Sequence, residues 1–295
     1  MKRAIAASLS IGCVVAVVAA IVARLSAAAP SRIVSTSPSI TETLFALGLG
    51  DRVVGVSTFC RYPDAVKTLP KVGTFLKPQA EVIARLRPDL VIVHGGPHDV
   101  ARQLSVLAIP TISVERGTLP SVYSAIQAIA SAAEVSDRGE RLIADVQQRL
   151  DRVRSVVAAR PRRRVLVIVG RRPGTLGDLV AVGRGSYLHD LVGIAGGTNV
   201  LGGDGLPEYP TVSMETVIRL APDVIVDAGD MGDTAEERRR RESATLALWN
   251  AQTMVAAVAR HDVRVVMSDA FVVPGPRVVD VAETLATWIH GVTFK

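Results

Sequence analysis

The chain repeats itself. Glu81-Val-Ile-Ala-Arg85-Leu86-Arg-Pro88-Asp89-Leu-Val-Ile-Val93 returns as Glu215-Thr-Val-Ile-Arg219-Leu220-Ala-Pro222-Asp223-Val-Ile-Val-Asp227, at a constant offset of 134, with Glu, Arg, Leu, Pro and Asp identical. In each copy a short helical stretch stops before a proline, which cannot continue a helix. The Asp then leads into an apolar run without polar alternation, the pattern of a strand buried on both faces. Duplication of such a unit restricts the chain to two similar α/β lobes. The length of 295 residues suits that count, at roughly 150 residues per domain.

The rest of the chain supplies the elements that two lobes need. Arg32–Ser35, Arg52–Val56, Leu90–Val93 and Thr111–Val114 read as strands of a mainly parallel first sheet, with a helix over Val100–Leu107. Ser39, Ile40, Thr41 and Glu42 read as a capping box opening a helix through Leu47. From Ser136 to Ala159 the apolar period becomes helical over many turns, with Leu142, Ile143, Val146, Leu150, Val153 and Val157 on one face. Strands resume at Val165–Val169, Val224–Val226 and Val263–Met267, with helices at Tyr187–Ile194 and Val278–His290. The expected organisation is a lobe over 29–135, a connecting helix over 136–160 and a second lobe over 161–295. The basic cluster Arg160, Arg162, Arg163 and Arg164 reads as solvated surface at a helix end.

The first residues do not belong to this body. Lys2 and Arg3 precede an uncharged run from Ala4 to Ala23, then Arg24 and the small residues Ser26 to Ala29. That order reads as a secretory signal over 1–28, cut after Ala28, with an uncleaved anchor as the alternative because 20 residues also suffice to span a bilayer. Cys13 lies in a poor lipid-attachment box. Lys and Arg exceed Asp and Glu, 34 to 28, but without the three cations of this leader the excess falls from +6 to +3. Neither that charge nor an aromatic content of 4% suits nucleic acid. Cys60 is the lone mature cysteine, so an exported fold of this sequence is held by its core rather than by disulfides.

Catalytic chemistry finds little support. The five histidines show no metal-protease spacing. Only His94 and His98 sit close enough to converge on a metal or haem, and Pro97 keeps them off one helical face. Gly48-Leu-Gly50 and Gly183-Arg-Gly185 lack the context of a dinucleotide loop and read as helix caps or turns. No catalytic residue and no metal site is assigned, and the cleft between the lobes is the natural place for a ligand.

Three stretches carry a family likeness. Arg32-Ile-Val-Ser-Thr-Ser-Pro-Ser-Ile-Thr-Glu42 with its continuation to Val56, Cys60-Arg-Tyr62-Pro63 and Lys71-Val-Gly73-Thr-Phe75 resemble the start of the periplasmic substrate-binding proteins of iron-chelate and vitamin B12 importers. Tyr187 to Val200, with its Gly196-Gly197-Thr-Asn199, and Pro274-Gly-Pro276-Arg277 resemble later signatures of that family. The likeness runs from Arg32 to His290 and implies two Rossmann-like α/β lobes, one long backbone helix, and a ligand in the cleft. It implies a monomer that delivers its ligand to an ABC permease dimer, with Glu81 and Glu215 as paired docking carboxylates, one per lobe. It places the ligand at Phe75, His94, His98, Arg171, Arg172, Tyr209, Phe271 and Arg277. A corrinoid is the expected ligand, with a ferric siderophore or haem as alternatives. Phe75, Tyr209 and Ala270 stand where the B12 branch has tryptophans. An enzyme working in the cleft and a divalent-metal carrier are the readings from other classes.

Overall fold

A computed structural model describes residues 29–95, 100–230, 232 and 234–294. The leader, with Cys13, and the candidate ligand residue His98 lie outside the described residues. From Ser31 onward the chain is one compact unit.

The first half runs β1 (Ile33–Ser35), α1 (Pro38–Ala46), β2 (Val53–Val56), α2 (Ala80–Arg85), β3 (Leu90–His94), α3 (Val100–Val106), β4 (Thr111–Val114) and α4 (Leu119–Ala132). The long helix α5 (Ser136–Val157) follows. The second half runs β5 (Arg163–Gly170), β6 (Leu179–Ala181), α6 (Tyr187–Ile194), β7 (Gly197–Asn199), β8 (Thr211–Val212), α7 (Met214–Leu220), β9 (Val224–Asp227), α8 (Ala235–Asn250), α9 (Ala256–Ala259), β10 (Val263–Val265) and α10 (Val278–His290).

The first sheet has the order β2-β1-β3-β4 and is parallel throughout. The second keeps that scheme, with β7, β9 and β10 parallel around β5 as β2, β3 and β4 are around β1. It adds the antiparallel strands β6 and β8. The repeat seen in the sequence falls on α2–β3 and α7–β9, and its identities have matching bonds. Asp89 accepts from the Arg32 amide at 2.8 Å while its own amide bonds the Arg32 carbonyl. Asp223 treats Arg164 in the same way, at 2.9 Å. Arg32 and Arg164 each donate a side-chain bond of 2.7 Å to the helix-end carbonyls of Leu86 and Leu220. The residue before each proline, Arg87 and Ala221, has a positive φ, so both helices end in the same left-handed turn.

Side chains alternate between two cores across each sheet. Leu90 and Ile92 of β3, with Val165, Val167, Val224 and Val226, face a cluster that also takes Leu44, Ile126, Leu150, Val153 and Leu285. This central core therefore runs from one lobe to the other through α5. The opposite faces are covered separately, Val91 and Val93 by α2 and α3, Leu166, Ile168 and Ile225 by Trp249 and its neighbours. Helices α4 and α5 approach closely at Gly139, where a Cβ would stand 2.5 Å from that of Ala130.

Several expectations need correction. Helix α1 is capped by Ser37 rather than Ser39, because Pro38 lacks an amide hydrogen and suits the first helical position. Ser39 and Glu42 are thereby released for other contacts. The arginine cluster lies at the surface as expected, with Arg160, Arg162 and Arg164 exposed, and it also makes specific bonds: Arg162 donates to the Gly197 carbonyl at 2.7 Å, Arg163 to the Ile289 carbonyl and Asp262, and Arg164 to Leu220. These cations satisfy carbonyls that the ends of elements leave open. Helix α5 stops at Val157, before Pro161.

Candidate functional site

The carboxyl ends of the parallel strands converge on one cavity of about 500 Å³. Ser37 follows β1, Phe59 and Arg61 follow β2, His94 ends β3, and Arg116 follows β4; from the second lobe come Tyr187, Glu208, Tyr209, Asp269 and Val272. In open α/β sheets this is the end where helices begin and loops diverge, leaving room for a ligand.

The walls are largely apolar and aromatic. Phe59 and Phe75 meet edge to face with ring centres 6.3 Å apart, and Phe59 is 47% exposed. Tyr187 is buried, and its hydroxyl donates to the Phe271 carbonyl at 2.9 Å. His94 is fully engaged: Nε2 lies 2.9 Å from Ser37 Oγ and 3.1 Å from Ser39 Oγ, and Nδ1 3.4 Å from the Val114 carbonyl. Burial, with the charge of Arg116, holds the imidazole below its ordinary value, so it is mainly neutral at pH 7. Burial and the neighbouring carboxylate of Glu208 push the Tyr209 phenol well up, so it stays protonated.

Of the residues singled out in the sequence, Phe75, His94 and Tyr209 line this cavity. Phe271 and Arg277 stand behind it. Phe271 is buried and stacks on Trp288 at 5.6 Å, while Arg277 reaches across to the first lobe. There it donates two bonds to Glu42, one of 2.8 Å, and one of 2.9 Å to Asp269, with its guanidinium 4.3 Å above the Tyr62 ring. Glu42 is only 3% exposed, and burial raises its carboxyl despite the opposing guanidinium.

Arg171 and Arg172 are not on the cavity wall. Arg171 is buried inside the second lobe, donating to Asp227 at 3.2 Å and Thr245 at 2.5 Å, and Asp227 also accepts from the Trp249 indole at 2.7 Å. Arg172 pairs with Asp178 at the surface at 2.7 Å. Each finds a carboxylate within its own lobe, a pairing that sequence spacing does not reveal. The sequence reading missed Phe59, Arg61, Arg116 and Tyr187, although all but Tyr187 lie two to five residues beyond a predicted strand. Glu81 and Glu215 are exposed on the first turns of α2 and α7, in equivalent places on the two lobes. Among the described residues no group of His, Cys, Asp and Glu is arranged to hold a metal ion. Cys60 is buried beneath the site, where desolvation pushes its thiol up to about 11. No helix among the described residues is long and apolar enough to cross a membrane.

Known proteins share this architecture. The chain is 28% identical to an uncharacterized ABC transporter substrate-binding lipoprotein of Bacillus subtilis, over 90% of this chain and 82% of that protein. It superposes on the periplasmic vitamin B12-binding protein BtuF of Vibrio cholerae with a TM-score of 0.73 at 27% identity, covering 88% of this chain and 96% of that one. The apo form of the periplasmic heme-binding protein RhuT of Roseiflexus sp. RS-1 gives a TM-score of 0.75, also at 27% identity, over 88% and 98% of the two chains. Such relatives agree with the export read from the leader. The family model for periplasmic binding proteins matches residues 33–269, and the chain therefore belongs to the periplasmic binding protein family.

Proposed function

We propose that this protein is the substrate-binding component of an ABC importer and that its cavity receives a corrinoid. The observation that carries the ligand reading is the state of the polar groups in an aromatic cavity. Both nitrogens of His94 are taken by protein partners, and the Tyr209 phenol is held protonated against Glu208. His94 is thereby occupied and Tyr209 kept as a neutral phenol, so neither is presented as a ready metal ligand. A corrinoid brings its own axial ligands and asks the wall for aromatic contact, which Phe59 and Phe75 are placed to supply. The likeness to BtuF supports the same reading, and the equal likeness to RhuT makes haem the second one.

Delivery to the permease would use Glu81 and Glu215. Their equivalent positions on duplicated helices suit a receptor that meets a two-fold transporter with one carboxylate per lobe. Titration of the purified protein with cyanocobalamin and with haemin, followed by visible absorbance and calorimetry, tests the ligand. Tight binding of cyanocobalamin supports the corrinoid. Binding of haemin alone, with a spectrum showing an axial ligand from the protein, overturns it.

A further inference from the structure

We infer that Arg116 is the residue that selects for an acidic group on the ligand. The inference rests on the reading of the cavity as a chelate-binding cleft. The other acidic and aromatic polar groups on its wall are already matched. Asp269 holds Arg277, Glu208 lies beside the Tyr209 phenol, and His94 is shared between two serines and a carbonyl. Arg116 stands on the same wall and makes no hydrogen bond or ion pair with any described residue. Its charge nonetheless acts across the cavity, adding to the lowering of His94 and opposing the rise of Tyr209.

The backbone that carries it is fixed from the second lobe. The Gly117 carbonyl accepts from the Tyr187 amide at 2.6 Å, and the Leu119 amide donates to Asp190 at 3.2 Å. Gly117 sits at φ +119, and a Cβ there would approach the Glu208 carboxylate at 3.6 Å. Arg116 is thus held at the line where the lobes meet, with only its side chain free to move.

In the empty cleft the guanidinium is solvated. A ligand that fills the cavity strips that water, and the charge then needs an acceptor or becomes a desolvated cation without a partner. A carboxylate or phosphate at the edge of a macrocycle satisfies it, and a wholly neutral periphery does not. The same group therefore attracts one class of ligand and disfavours another.

The test uses the mature protein, its Arg116→Ala and Arg116→Lys variants, and four probes. Cyanocobalamin and haemin carry a phosphate or carboxylates, whereas dicyanocobinamide and a neutral ferric trihydroxamate carry neither. Arg116→Ala should weaken the acid-bearing probes that the wild type binds by about 10- to 100-fold, the range of a charged hydrogen bond, and leave neutral ones within about two-fold. Arg116→Lys should fall between, keeping the charge but losing the planar fork. Affinity of the wild type for acid-bearing probes should also drop with salt, and that slope should flatten in Arg116→Ala. Undiminished affinity in Arg116→Ala, equal loss for acidic and neutral probes, or a wild type that prefers neutral ones overturns the assignment to Arg116 alone. A wild type that takes up none of the four overturns the chelate reading and this inference with it.

Discussion

Removing Arg277 should cost the fold far more at pH 8 than at pH 4.5. Glu42 is buried, and its partner is a guanidinium that also bonds Asp269 and covers Tyr62. Breaking a buried pair by deleting one member leaves the other charge uncompensated, which typically costs about 3–5 kcal/mol. The folded-state value of Glu42 already lies above 4.5, because burial outweighs the two contributions of Arg277 that lower it, and Asp269 and Asp280 add to the rise. A raised carboxyl contributes stability that is full below the unfolded value and lost as pH climbs through the folded one. Without the guanidinium the folded value rises further, so the extra loss in Arg277→Ala opens as pH climbs through the wild-type folded value, which lies above 4.5. At pH 4.5 and below, what remains is lost packing and the bond to Asp269, about 1 kcal/mol. Urea unfolding followed by circular dichroism, repeated from pH 4.5 to 8, measures this. At pH 8 the double variant Glu42→Gln/Arg277→Ala should be more stable than Arg277→Ala, although it carries one change more. A double variant no better than the single one at pH 8, or a loss that does not vary with pH, would refute the reasoning.

Other expectations follow from the same geometry. Arg171→Ala should destabilise by about 3–5 kcal/mol, because its side chain and that of Asp227 are 1% and 0% exposed, and it should leave ligand affinity unchanged in calorimetry below the unfolding range. Glu81→Ala/Glu215→Ala should lower transport in reconstituted vesicles while calorimetry finds ligand affinity intact; normal transport would remove these carboxylates from docking. Because a 22-residue helix and a shared core join the lobes, small-angle scattering should register closure of only a few degrees on loading, and a large contraction would count against that stiffness.

The fold was legible where local pattern and tertiary burial agree. Thr111–Val114, Tyr187–Ile194 and Val278–His290 stand where their apolar periods place them, and the Pro-Asp repeat marks equivalent positions in the two lobes. Strands β6 to β8 were not legible, since two or three residues are too few to show a period. Helix α8 was hidden because its Glu and Arg residues leave little apolar face, with only Thr245 and Trp249 buried. In the site, Phe75 and Tyr209 were reached through the family likeness rather than from any local pattern. Arg171 misled because its partner Asp227 lies 56 residues away, so an arginine bound inside the lobe looks like one waiting for a ligand. Arg116 follows a strand correctly assigned from sequence, and its place past the carboxyl end was the available signal.

The central core has a consequence for how the chain is made. Its apolar surface is completed by Val278, Val281, Leu285 and Ile289 of α10, the last helix, which packs on α5 and α6 and joins the cluster that holds Leu44 and Ile126 of the first lobe. A polypeptide that emerges amino end first cannot complete this shared core until nearly all of it has appeared. Until then the shared core keeps an open apolar face along α5, which favours a threadable chain during passage through a membrane channel and a single concerted collapse once the last helix arrives.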